Sequence, residues 1–341
     1  VKLIDSVLAI AGSLHIEGCD DSINFYHSEH KTCLSPINPN SKKPSAYTHE
    51  LVEATSKIKG KPDTSVYYSL FKKPTKVTNL TNAKKTLVYI PGGPWCPFRT
   101  NEFLKDYQPF INEGHTIIVP HEPLRDGFGY NYLLAEKQLG RRNLHHIIAI
   151  LDDACNNKWA NPQMVAMGES YGGWVASALA ATWKDFKTPE SLIELHGCIA
   201  QAADLDLNKW KDRHAKFGEQ QIVETFADDP VNVAGITALQ SSLLIFHGTE
   251  DVCCTIDSMK VWADNLKQAN QQFTFITAPE GHAGILTYSL SCAEEECRLR
   301  LNIVRRFIEG DKIPAASVQK LAEFNLSVVH DSAGLFEQSK E

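Results

Sequence analysis

The 341-residue chain has no apolar run that approaches the roughly 18–20 residues needed to cross a bilayer; the longest near its start, Val7 to Ala11, is far too short. It also lacks a basic surplus. Its 34 Lys and Arg against 41 Asp and Glu leave a net charge of −7, which argues against a nucleic-acid surface built on clustered positive charge. There is no internal repeat, no low-complexity tract and no His/Asp cluster at metal-ligand spacing, so neither a metal nor another cofactor is expected. The adjacent His145 and His146 fall on a helix-period stretch, where neighbouring positions do not face one site. With 43% hydrophobic and 22% charged residues, the composition is that of a chain able to bury a core. A soluble globular protein is the expectation.

Nine cysteines are an odd number, so at least one is left out of any intrachain pairing. Cys155 and Cys198 lie in apolar surroundings and read as buried thiols, Cys253 and Cys254 are poorly placed to bridge each other, and Cys19/Cys33 and Cys292/Cys297 are the candidate bridges. This usage leans towards a reducing, cytoplasmic setting. The chain begins at Val1, however, so removal of an upstream segment, a secretory signal included, is also expected to be possible.

Residues 1–62 read as an irregular extension packed on a main domain that spans 63–341. From residue 64 onward short apolar runs recur: Thr64–Phe71, Thr86–Ile90, Thr116–Pro120, Met164–Met167, Leu243–Phe246 and Phe273–Ile276. Runs of this length, continuous rather than alternating, are those of strands covered on both faces. Between them lie helix-period stretches, Leu144 to Cys155 and Arg298 to Ile308. Alternation of the two implies βαβ units, a doubly wound α/β domain with a mostly parallel sheet.

One segment carries chemistry. Gly168-Glu169-Ser170-Tyr171-Gly172-Gly173 follows a predicted strand and opens an Ala-rich helix. That is the context of a Gly-x-Ser-x-Gly nucleophile elbow, with glycines where strand and helix close on each other and the serine at an exposed, strained turn. A serine hydroxyl needs a base, and the base an orienting carboxylate. Asp251 follows a strand 81 residues downstream, with Glu250 beside it as the rival, and His282 follows the next strand 31 residues later. The order Ser, Asp, His is that of α/β-hydrolases. His247, at the end of an apolar strand, reads as a hydrogen-bonded structural residue. Oxyanion donors are expected from the backbone N–H of Tyr171 and, in the loop Pro91-Gly92-Gly93-Pro94-Trp95, from that of Gly93.

Together these segments resemble the catalytic domain of the prolyl oligopeptidase family of serine peptidases, in particular its acylaminoacyl-peptidase and dipeptidyl-peptidase-like branch. The resemblance rests on Pro91–Trp95, Arg125–Tyr130, Gly168–Gly173, His247–Asp251, Gly281-His282 and Asp229–Asn232, and covers roughly residues 64–310. It implies the α/β-hydrolase fold and acyl transfer to water through an acyl-serine, on a peptide or acylated amine. Two positions depart from the family. Pro91 stands where the family has a histidine that organises the oxyanion loop, and Cys253-Cys254 replaces the usual Val-Pro. Large members also carry a β-propeller, which the leading residues here are too few to build. A carboxylesterase or thioesterase on the same triad is therefore the alternative enzyme, and a non-catalytic binding module of the same fold the alternative outside enzymes. The sequence carries no reading of oligomeric state.

Overall fold

A computed structural model describes residues 14–19, 22–27, 47–73, 84–96, 98, 107–135, 137–227, 231–286 and 294–337. Among these residues eleven strands form one sheet: β1 (Leu14–Cys19), β2 (Ser22–His27), β3 (Thr48–Ser56), β4 (Thr64–Lys72), β5 (Thr86–Ile90), β6 (Ile117–His121), β7 (Gln163–Glu169), β8 (Glu194–Gln201), β9 (Ser242–Gly248), β10 (Thr274–Ala278) and β11 (Ser327–Asp331). Their order is β11-β10-β9-β8-β7-β5-β6-β4-β3-β1-β2. From β6 to β10 every neighbouring pair is parallel, while β4 and β11 run antiparallel to the strands beside them.

The six expected strands are all present as β4 to β7, β9 and β10. Parallel strands read as continuous apolar runs because helices cover both sheet faces, and alternate residues serve the two sides. In β5, Val88 and Ile90 join the core on one face while Leu87 joins the other. Helices α1 (Arg141–Asn156), α2 (Tyr171–Thr182) and α4 (Asp257–Gln268) cover the first face through Ile147, Leu151, Trp174, Leu179 and Trp262. The second face is covered by residues 107–112, α5 (Glu294–Glu309) and α6 (Ala315–Glu323), through Phe110, Ile303, Val304 and Leu321. Between β8 and β9 lies α3 (Leu207–Lys216). The fold is that of the α/β-hydrolases.

Three strands form where an irregular extension is expected. β1 and β2 make a hairpin, and β3 pairs with β4 over nine residues, from Thr48↔Lys72 to Ser56↔Thr64. Residue 62 therefore lies in a hairpin of the continuous sheet. β3 eluded the sequence reading because Glu50, Glu53 and His49 interrupt its apolar pattern. The extension is drawn onto the core by Ser56, whose hydroxyl meets His146 Nδ1 of α1 at 2.8 Å. No helix among the described residues is long and apolar enough to cross a membrane.

Candidate active site

The chain reverses its direction of travel across the sheet at β5, leaving to β6 on one side and returning to β7 on the other. Loops that leave the carboxyl ends of β5 and β7 are thus adjacent, the usual position of a ligand crevice in such sheets. The β5 loop carries Gly92 and Gly93, and the β7 loop carries Ser170.

Ser170 has φ 58° and ψ −121°, a conformation that an L-residue adopts only when its surroundings impose it. The glycines around it explain how. A Cβ on Gly172 would lie 1.9 Å from the Ile90 carbonyl oxygen, and one on Gly168 would lie 2.0 Å from that of Gly172. Strand β5, strand β7 and helix α2 therefore meet at backbone contact. Ser170 N–H donates to the Gln201 carbonyl at 2.9 Å, tying the turn to the end of β8. Tyr171 opens α2 with its ring fully buried and its hydroxyl against the Asn143 amide. Its backbone N–H stands at the positive end of the helix.

Asp251 and His282 leave the ends of β9 and β10. Asp251 is buried, and its Oδ1 accepts from the Cys253 and Cys254 N–H groups at 2.8 and 2.9 Å. Its Oδ2 lies 2.7 Å from His282 Nδ1. That pairing makes Nδ1 the protonated nitrogen and leaves Nε2 with its lone pair, the tautomer a general base requires. Glu250 is exposed and only its backbone contributes, donating to the Glu280 carbonyl at 2.9 Å. The Cys254 thiol, in the loop that carries Asp251, is buried. Burial pushes that thiol up to about 12, so Cys254 is a neutral SH at neutral pH.

His247 is fully buried with Nε2 2.8 Å from the Cys254 carbonyl, the structural role expected of it, and burial lowers its affinity for a proton. His146 is buried between Ser56 and Gln138, whereas His145 packs edge-on to Phe186. Cys155, Cys198, Cys253 and Cys254 are free thiols. The candidate bridges Cys19/Cys33 and Cys292/Cys297 each depend on a residue outside those described, as does the Asp229-Pro230 part of the resemblance.

Arg125 is the residue that the sequence reading left without a task. It is 1% exposed, and its Nη1 donates to the Gly92 and Gly93 carbonyls at 3.0 and 2.8 Å while Nη2 donates to Pro91 O at 3.3 Å and Glu122 Oε1 at 3.1 Å. The loop that begins at Pro91 is thus held by a buried guanidinium. Gly93 itself has φ 54°, and the turn closes with Cys96 N–H donating to Gly93 O. Beyond it, Trp95 is packed against His214 at the end of α3 and against Phe226, with ring centroids 5.1 and 6.2 Å apart. A cavity of about 490 Å³ opens elsewhere, lined by Arg141, Thr182, Asp185 and Asn232 among others, and includes none of these site residues.

The model of the prolyl oligopeptidase family matches residues 101–296, more than half of the chain. The chain belongs to the prolyl oligopeptidase family. No curated protein matches it in sequence. Among solved structures, the acylaminoacyl peptidase of Pyrococcus horikoshii is similar at 16% identity and a TM-score of 0.58, covering 87% of this chain and 47% of that one. A puromycin-hydrolyzing peptidase of Mycobacterium tuberculosis gives 15% and 0.54, covering 91% of this chain and 46% of that one. Oligopeptidase B of Leishmania major gives 13% and 0.54, with 76% and 37% covered. At these identities the likeness is one of fold, and the chain spans less than half the length of each of these proteins.

Proposed function

We propose that this chain is a serine peptidase of prolyl oligopeptidase type, cleaving peptide or acyl-amino-acid bonds through an acyl-serine intermediate. The observation that carries the reading is the 2.7 Å Asp251–His282 hydrogen bond, on the same sheet whose β7 elbow holds a serine at φ 58°. When substrate fills the crevice, the Ser170 hydroxyl donates to His282 Nε2. Its oxygen attacks the carbonyl carbon and its proton passes to that nitrogen. Asp251 stabilises the imidazolium that results. The carbonyl oxygen becomes an oxyanion and is received by the N–H groups of Tyr171 and Gly93. Collapse of the tetrahedral species expels the amine, which takes the proton from His282. A water molecule deprotonated by the same nitrogen then releases the acyl group from Ser170.

The test is covalent labelling with a fluorophosphonate, read by intact mass, with Ser170→Ala alongside. One adduct on the wild-type protein that vanishes in the variant is the expected result. Aminoacyl-amide, acyl-amino-acid and short acyl-ester panels then assign the acyl and leaving groups, with turnover of the amides expected of a peptidase and turnover of esters alone pointing to the esterase alternative. Folded protein that takes no label would overturn the catalytic reading and favour the binding-module alternative.

A further inference from the structure

His282 sits on an exposed loop, its side chain 26% accessible, four residues beyond the end of β10. A base so placed holds its aim only if the loop is held from behind. On the sheet side it is. A Cβ on Gly248 would lie 2.3 Å from both the Glu280 and Gly281 carbonyl oxygens, so the Asp251 and His282 loops touch backbone to backbone. Thr249 N–H donates to Ala278 O at 2.7 Å, and Ile285 N–H donates to the Gln201 side chain at 2.6 Å.

The other side is held by helix α5. Arg300 is fully buried, and its guanidinium takes both oxygens of Glu280, Nη1 to Oε2 at 3.1 Å and Nη2 to Oε1. Its Nε and Nη2 also bind Glu296, one turn earlier on the same helix, and the guanidinium lies over the Phe246 ring of β9 at 5.4 Å from the centroid. Packing alone does not call for a charge here: Leu299, Ile303 and Val304 already seat the helix. Arg300 is desolvated while the Glu280 and Glu296 side chains keep 25% and 14% of their exposure, and an ion pair that buries one partner adds little net stability, so its presence calls for another reason. A bidentate fork fixes the position and the plane of a carboxylate, which an apolar contact does not.

We infer that Arg300 and Glu280 are positioning residues for His282, clamping its loop between helix α5 and the Asp251 loop so that Nδ1 stays on the carboxylate. The inference rests on His282 being the base of the proposed reaction. Neither residue touches substrate. The clamp acts two residues before the imidazole, through Glu280 and Gly281, whose carbonyls are already fixed against Gly248.

The variants that test it are Glu280→Gln, Arg300→Lys and the neutral set Glu280→Gln/Glu296→Gln/Arg300→Met, with Glu296→Gln as the contrast that removes a partner of Arg300 without touching the loop. Each is measured for kcat, KM, the pH profile of kcat/KM and thermal midpoint, with active sites titrated by fluorophosphonate so that unfolded protein does not count. The two single loop variants are expected to lose about 10- to 100-fold in kcat with KM within about threefold, and to shift the acid limb of the profile. The neutral set is expected to recover thermal stability and not kcat. Glu296→Gln is expected to lower the midpoint while keeping kcat within about threefold. Should wild-type protein label and the loop variants label and turn over at its rate, the clamp is refuted while the active site stands. Should wild-type protein fail to label, the site reading falls and the inference with it.

Discussion

Replacing Arg125 by methionine separates what holds the oxyanion loop from what holds the fold. Arg125 and Glu122 are each 1% exposed, and the guanidinium bonds three successive carbonyls as well as that carboxylate. Its removal leaves Glu122 charged and unpaired in the interior, a change that costs about 3–5 kcal/mol. At about 2–4 °C per kcal/mol, the thermal midpoint falls by roughly 6–20 °C. The loop also loses the clamp that aims Gly93 N–H, and loss of one oxyanion donor lowers kcat by about 10²–10³-fold. The double variant Arg125→Met/Glu122→Met removes both charges together. Its midpoint is expected to climb back towards that of the wild type, since the isolated charge is gone, while kcat stays depressed because the carbonyls remain unclamped. Thermal unfolding and kcat on an aminoacyl amide, normalised to titrated sites, read the two quantities independently. A folded double variant with kcat within about threefold of wild type would refute the role assigned to Arg125.

Gly172→Ala places a methyl group 1.9 Å from the Ile90 carbonyl, whereas Gly114→Ala, at φ 96°, meets open space and only the strain of a positive φ, about 1–2 kcal/mol. The first is expected to give insoluble or unlabelled protein and the second active protein with a lower midpoint; the reverse pattern contradicts the elbow geometry. Burial lowers the His146 pKa to about 4, below the 6.5 of an unfolded chain. Between those values the unfolded state binds a proton that the folded state refuses, so this histidine's contribution is intact above pH 6.5 and is lost as pH falls towards 4, approaching 3 kcal/mol. Urea midpoints at pH 7, 5.5 and 4.5 for wild type and His146→Gln test this, the variant showing the flatter acid dependence; equal slopes would remove His146 from the account.

Much of this molecule is written locally. The strands β5, β6, β7, β9 and β10 are uninterrupted apolar runs because both their faces are covered, and the elbow is legible because only glycine satisfies the contacts at 168 and 172. β8 escaped notice although it is as central: Glu194, His196 and Gly197 break its run, and Gly197 is there because a Cβ would strike the Phe307 ring at 2.8 Å. That requirement belongs to α5, a hundred residues away, and no window of sequence contains it. Arg125 is legible as the first residue of a family-like motif, but its contacts are not, for a related reason. Arginine in a glycine-rich loop reads as solvated, and nothing local says that three carbonyls from the β5 loop enclose it. Asp251 was separable from Glu250 only in part by order along the chain; burial and the two N–H groups of its own turn decide between them.

The same division explains where the two fully buried arginines stand. Adjacent parallel strands set the spacing between the loops after β5, β7, β9 and β10, but a sheet fixes only where a loop begins. The elbow needs nothing more, because glycine contacts lock it at its root. The oxyanion loop and the His282 loop run several residues beyond their strands, and each is gripped there by an arginine with a carboxylate partner, Arg125 with Glu122 and Arg300 with Glu280. Desolvating a guanidinium is costly wherever it is done, so two such side chains behind two loops of one site argue that orientation, not stability, is what they supply. The proposed reaction asks for that orientation at two atoms, the Gly93 nitrogen and His282 Nε2, and the two arginines bind the segments that carry them.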